Sequence, residues 1–265
     1  MEQQQTWRRE LPNYKQVALE IEDLPFQARE AINVLRGNIQ LSGANLKVIA
    51  ITSAVANEGK SSIAFRLTKS LAGLKKRTLY LDCDIRNSVT MSRYGMSGQV
   101  QGLTEFLCGA AAMNDIVYRT PDKYMDVILT GAVAPNPSEL VSGKLFTLLL
   151  DEMRKRYDYI IVDTPPINPV IDGTIIAKHC DGTVMVVESG LTDRMQAVRA
   201  KRQLEYAGIK LLGAVLNKVG VAKKGYGYGY GYGYGYGYGY GYGYGYGEKN
   251  QKRSGKKAGK KEAKD

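Results

Sequence analysis

The 265-residue chain is short of several residue types on which other kinds of protein depend. It has one histidine, His179, and three cysteines, Cys83, Cys108 and Cys180. An odd number of thiols without a CxxC spacing supports neither a disulfide framework nor a structural zinc site, so all three are read as free thiols. His179, beside Cys180 and Asp181 with no ligand cluster around it, reads as a partly buried residue near a helix C-terminus. No apolar run approaches the ~20 residues that cross a bilayer, and the start MEQQQTWRRE has no apolar signal core. The expectation is a globular protein that stays in the cytosol.

Acidic residues are also in deficit, leaving a net charge of +11. Residues 248–265 hold eight basic and three acidic residues, nearly half of that excess. Such an end could meet nucleic acid, an anionic membrane or an acidic partner. A solvated tail accounts for it with fewer assumptions, and no nucleic-acid partner is expected.

Tyrosine is abundant because 11 of the 19 tyrosines sit in one tract, Gly225–Gly247, where Gly and Tyr alternate. They are Tyr226, Tyr228, Tyr230, Tyr232, Tyr234, Tyr236, Tyr238, Tyr240, Tyr242, Tyr244 and Tyr246. Glycine at every second position packs no core and keeps backbone entropy high, so the tract reads as a disordered tether carrying phenols. A two-residue period could also put every tyrosine on one face of a strand, which leaves aggregation or stacking open.

The remainder reads as alternating strands and helices. LPFQAREAINVLRGNIQ (24–40) spaces Phe26, Ile32, Leu35 and Ile39 for a helix, with Pro25 suited to its first turn. Short β-branched runs follow at 47–53, 78–84, 126–129, 158–166, 182–189 and 209–218, with helical patterns at 63–76 and 191–207 among them. This order implies βαβ units: a P-loop NTPase-type α/β fold with a mostly parallel sheet and helices on both faces. Four segments are expected: a leader at 1–23, a nucleotide-binding domain at 24–224, the Gly-Tyr tract at 225–247 and a basic disordered tail at 248–265.

AVANEGKSS (54–62) fits the spacing of a phosphate loop between a strand and a helix, where free backbone N–H groups and the helix dipole attract phosphate. Ala54 stands where glycine is usual, and Asn57, at another such position, tolerates left-handed backbone. Gly59 permits close backbone approach, Lys60 neutralises β/γ-phosphate charge and Ser61 suits a magnesium ion. Glu58 and Ser62 complete the expected nucleotide contacts. Asp163, at a strand end before Thr164-Pro165-Pro166, reads as a Walker B carboxylate or, more plainly, as a turn aspartate. Asp82 and Asp84, two apart, are expected to share a face, one near the metal and one accepting a proton from a nucleophilic hydroxyl; paired turn aspartates are the plainer alternative. Asn217 lies where a base could bind, although it could simply end the strand. The guanine-reading N-K-x-D pattern fails at Gly220, which points to ATP.

Together these stretches resemble the bacterial tyrosine kinases of capsular and exopolysaccharide operons, in the separate cytoplasmic form found in Firmicutes. The matching motifs are AVANEGKSS, LYLDCDIRNS, IIVDTPP, PNPSEL at 135–140 and the C-terminal tyrosine cluster. The resemblance implies that Lys60 binds ATP phosphates, that Ser61, Asp84 and Asp163 hold Mg2+, and that Asp82 activates the acceptor, with the tract tyrosines as phosphoacceptors. It also implies ring assembly through E-x-x-R-x-x-R, of which Glu30 and Arg36 are present and Asn33 replaces the central arginine. The partners implied are a membrane adaptor of the polysaccharide co-polymerase type, whose cytosolic tail completes the nucleotide site, further copies of the chain and a cognate tyrosine phosphatase. The adaptor would hold the kinase at the inner face of the cell membrane. A partitioning or division-site ATPase of the deviant Walker A type is the rival, but Val55 stands where that class has a lysine. A structural Gly-Tyr protein without ATP turnover is a third reading.

Overall fold

The computed structural model describes residues 14–19, 23–95 and 100–220. The tract tyrosines and the basic end lie outside the described residues. In chain order the strands are β1 (Lys15–Gln16), β2 (Val48–Ser53), β3 (Thr78–Asp82), β4 (Val117–Arg119), β5 (Met125–Ile128), β6 (Tyr159–Asp163), β7 (Gly182–Glu188) and β8 (Leu211–Asn217). They form one 8-stranded sheet ordered β1-β4-β5-β3-β6-β2-β7-β8. Every pairing is parallel except that of β4 with β5.

The helices are α1 (Phe26–Leu41), α2 (Lys60–Gly73), α3 (Thr90–Arg93), α4 (Leu103–Leu107), α5 (Pro137–Ser142), α6 (Lys144–Arg156), α7 (Asp172–Lys178) and α8 (Arg194–Tyr206). All six residues of β2 are buried, as a parallel strand covered on both faces requires. Alternate residues serve opposite layers. Leu79, Leu81, Ile160 and Val162 meet Phe146, Leu149 and Met153 of α6. Ile49, Ile51, Tyr80 and Ile161 meet Ile32, Ile39, Phe65 and Leu71 from α1 and α2.

The expected helices and long strands are present, with bounds shifted by a few residues. On α1, Ile32 and Ile39 are buried while Phe26 is 68% exposed, so the apolar seam begins a turn later than its spacing suggests. β3 and β6 stop at their aspartates, where Pro165 and Pro166 deny β6 the N–H groups to extend the ladder. β1, at one edge of the sheet, and its neighbour β4 are too short to show a period in the sequence. Tyr14, in the segment read as a polar leader, is 4% exposed and accepts a 2.7 Å hydrogen bond from Arg156 Nη1.

All three cysteines are free thiols. His179 caps the C-terminus of α7, edge-on to Phe146 at 5.5 Å, and burial lowers its pKa. No described helix is long and apolar enough to cross a membrane.

Candidate active site

The loops after β2, β6, β3 and β8 meet along the carboxyl edge of the sheet, where open α/β sheets bind their ligands. The loop after β2 turns into α2 through Asn57 at φ 67° and Gly59 at φ 92°, the second being the N-cap. Only glycine fits the second position. A Cβ there would lie 2.2 Å from Asn217 Nδ2, which donates a 2.9 Å hydrogen bond to the Glu58 carbonyl. Lys218 Nζ donates to the Asn57 carbonyl at 2.9 Å and pairs with Glu188 at 2.7 Å. The end of β8 thus clamps the phosphate loop.

Glu58 reaches the cleft edge through its backbone alone. Its carboxylate does not face the cleft: it accepts hydrogen bonds from Val55 N at 2.8 Å and from Thr192 Oγ1, and is 1% exposed. It braces the loop from beneath. Val55 N is one of the loop amides, so the brace fixes a group that sequence reasoning would have left for phosphate.

Lys60 lies between carboxylates, its Nζ 2.7 Å from Asp84 Oδ2 and 3.7 Å from Asp163 Oδ1, with Ser61 Oγ at 3.3 Å. Burial disfavours its charge, but Asp163 and Asp84 outweigh burial and raise its pKa. Asp163 is 1% exposed; burial first, then Asp82 and Asp84, push its pKa up to about 6 against the pull of Lys60 and Ser61. Its Oδ2 accepts a 3.0 Å hydrogen bond from the buried Tyr80 hydroxyl, while its Oδ1 is buried without a hydrogen-bond partner.

Asp82 pairs in register with Asp163 across β3 and β6 and is fully buried. Its oxygens accept from Ser88 Oγ at 2.6 Å and from Asp84 N at 3.1 Å, and burial raises its pKa. The two aspartates therefore do not both open on the cleft as the spacing suggests: the strand ends at Asp82, and Asp84 begins the turn to Asn87, whose N–H donates to the Asp84 carbonyl at 3.1 Å. Asp84 lines the cleft; Asp82 lies under the turn.

The cleft is about 610 Å³ and takes in Asn57, Gly59, Lys60, Ser61, Ser62, Asp84 and Asn217. Beyond Asp84 it is bounded by Arg86, Arg93, Pro169 and Val170, none of which the sequence reading had assigned to the site. Arg86 is held by Asp172 and Ser138. Arg86 and Ser138 fall in the quoted LYLDCDIRNS and PNPSEL stretches, but nothing local to the sequence joins either to Asp172. Glu30 and Arg36 stand apart, on α1. Arg36 Nη1 donates to Ser70 O at 3.0 Å and Ser70 Oγ at 2.7 Å, and Asn33 bridges Glu30 and Ser70, so these residues tie α1 to α2.

Fold and cleft define a P-loop nucleotide-binding domain, and residues 46–191 match the AAA domain family. The chain is 41% identical over 201 residues to a tyrosine-protein kinase, CpsD of Streptococcus agalactiae, covering 76% of this chain and 88% of that one. The kinase domain of the Escherichia coli tyrosine kinase ETK superposes with a TM-score of 0.70 at 27% identity, covering 82% and 94% of the two chains. The chain belongs to the bacterial tyrosine kinases and is a protein-tyrosine kinase. A cell division ATPase, MinD of Pyrococcus furiosus, shares the fold alone, at 20% identity and a TM-score of 0.56 over 64% of this chain and 71% of that one.

Proposed function

We propose that this kinase uses ATP to phosphorylate its own tyrosine cluster, chiefly between subunits, and thereby regulates capsular or exopolysaccharide synthesis and export. The observation that carries the reading is Lys60 held between Asp84 and Asp163 in a chain that also bears eleven glycine-flanked phenols. Lys60 and the backbone of 57–62 would bind the phosphates. Ser61, Asp84 and Asp163 fit a magnesium ion, since the buried Asp163 Oδ1 has no hydrogen-bond partner and meets only Lys60 Nζ, at 3.7 Å. When bound, the ion neutralises phosphate charge. The phosphoryl group passes from ATP to the phenol oxygen, ADP leaves, and the phenol proton goes to Asp82 once Ser88 releases Oδ2.

The 23-residue tract spans at most ~75–83 Å extended and ~25–29 Å as a random coil, so a neighbouring cleft is within reach. With glycine on both sides of each phenol, many acceptors are of similar quality. Each phosphate adds about −1.5 to −2, so roughly six offset the chain's charge of +11 and loosen an assembly built through α1 residues Glu30 and Arg36. A phosphatase would reverse this. A membrane adaptor of the co-polymerase type would complete the nucleotide site and recruit the kinase from the cytoplasm to the inner face of the cell membrane. A division-site switch is disfavoured by Val55.

The test mixes a full-length Lys60→Met chain, which has acceptors and no activity, with an active chain truncated after Lys224. Phosphotyrosine on the inactive chain with a fall in oligomer mass is the expected result; none on that chain excludes transfer between subunits.

A further inference from the structure

Along the carboxyl edge, the site residues follow the strand order. Asn217 ends β8, Lys60 and Ser61 follow β2, Asp163 ends β6, Asp84 and Arg86 follow β3, and Ser138 follows β5. Phosphate-binding groups occupy the middle and the Asn217 clamp one end. The other end, past Asp84, has apolar walls from Val89, Pro169 and Val170 and cationic groups from Arg86 and Arg93. An aromatic ring fits such walls, and a phosphoryl group such cations.

Arg86, after β3, is fixed there by the helices that follow the two strands beside it, α5 after β5 and α7 after β6. Its Nε lies 2.5 Å from Asp172 Oδ2, and its Nη2 lies 3.3 Å from Asp172 Oδ1 and 3.4 Å from Ser138 Oγ. Ser138 Oγ also donates to Asp172 Oδ1. The Asp172 side chain is 2% exposed and that of Arg86 42%, so the carboxylate is an inner anchor and the guanidinium reaches the cleft. A pair serving stability alone has no need of a cation at the cleft wall. A guanidinium pinned along one edge loses little further freedom when it meets phosphoryl oxygens.

We propose that this end of the cleft is the subsite for the acceptor tyrosine, and that Arg86 is a catalytic residue contacting the phosphoryl group as it reaches the phenol. Asp172 and Ser138 are its positioning residues. The assignment rests on the autokinase reading above. It gives the flanking glycines a role, because a phenol entering between Pro169, Val170 and Val89 brings no bulky neighbours with it.

The test uses the full chain with magnesium and saturating ATP, measuring the initial rate of phosphotyrosine formation, the KM for ATP and the affinity for a fluorescent ATP analogue. Arg86→Ala should lower the rate by about 10²-fold while both nucleotide measures stay within about twofold of wild type. Arg86→Lys should recover little, since an ammonium cannot keep the fork to Asp172 and reach the cleft together. Asp172→Asn and Ser138→Ala should each lower the rate by up to about tenfold, and neither should lower it further in the Arg86→Ala background. An Arg86→Ala rate within twofold of wild type, a loss regained by raising ATP, or losses that multiply would each overturn the assignment. Wild type forming no phosphotyrosine would instead overturn the autokinase reading beneath it. Thermal melts show that the variants are folded, and Ser138→Ala carries the positioning test if Asp172→Asn melts early.

Discussion

Lys60 Nζ lies 2.7 Å from Asp84 Oδ2, in a pair whose side chains are 10% and 7% exposed. The cation proposed above to meet the nucleotide phosphates is therefore already paired with a carboxylate. Phosphate must compete with Asp84 for Lys60, and a cation on the carboxylates would release the lysine. Nucleotide and metal should consequently bind with positive coupling.

Lys60→Met should abolish tyrosine phosphorylation and also weaken the fold. It leaves Asp84 and Asp163 unpaired beneath the loop, a change that costs about 3–5 kcal/mol when charged groups are buried. The measurement is thermal unfolding at pH 8 and pH 5 beside the kinase assay. The deficit should shrink at pH 5, below the pKa of about 6 to which burial raises Asp163.

Asp82→Asn keeps the size of the side chain and removes the proton acceptor proposed above, so transfer should fall by about 10²- to 10⁴-fold with nucleotide still bound. The amide oxygen can keep the bond from Asp84 N, and the amide nitrogen can donate to Ser88 Oγ where the carboxylate accepted from it, leaving the 84–88 turn in place. A wild-type rate in this variant would place the base elsewhere.

Asp163 sets a pH dependence in metal-free buffer. Its pKa is raised from 3.8 to about 6, so its contribution to stability is complete below pH 3.8 and is lost as pH rises through about 6. Two units correspond to about 3 kcal/mol. Asp163→Asn should melt higher than wild type at pH 7.5, and the difference should fade towards pH 4. Comparing the two proteins cancels the opposite trend from Asp158, Asp172 and Asp181, whose pKa values are lowered by their arginine partners despite burial.

Gly59→Ala should cost more than about 1 kcal/mol through its left-handed backbone. By pushing Asn217 off the Glu58 carbonyl it should also weaken nucleotide binding, up to about 10²-fold for a displacement near 1 Å. Adding Asn217→Ala should restore part of the stability, as it removes the clash and leaves only the strain. Calorimetry with ATP and thermal melts of the two variants beside wild type decide this.

Much of the fold was legible because its signals are local. Runs such as Val48–Ser53 and Tyr159–Asp163 show a buried parallel strand in consecutive residues, and Gly59-Lys60-Ser61 marks the phosphate loop by spacing. β1 and β4, at two and three residues, are too short to repeat the two-residue strand period. Phe26 matched the helix period yet is exposed, since period alone does not say where a neighbouring layer ends.

By itself the sequence determined the αβ alternation, the phosphate loop, the strand-end aspartates and the Gly-Tyr tract, because each is specified by the chemistry of adjacent residues. Only tertiary structure decided that Glu58 braces the loop, that Asn217 clamps it across 159 positions, that Asp82 lies beneath the turn while Asp84 faces Lys60, and that Arg86 meets Asp172 and Ser138. Those roles follow from which strand lies beside which, and strand order is set by burying both faces of a whole sheet. A side chain's neighbour across the sheet is thus a property of the packed chain and not of the motif that carries it.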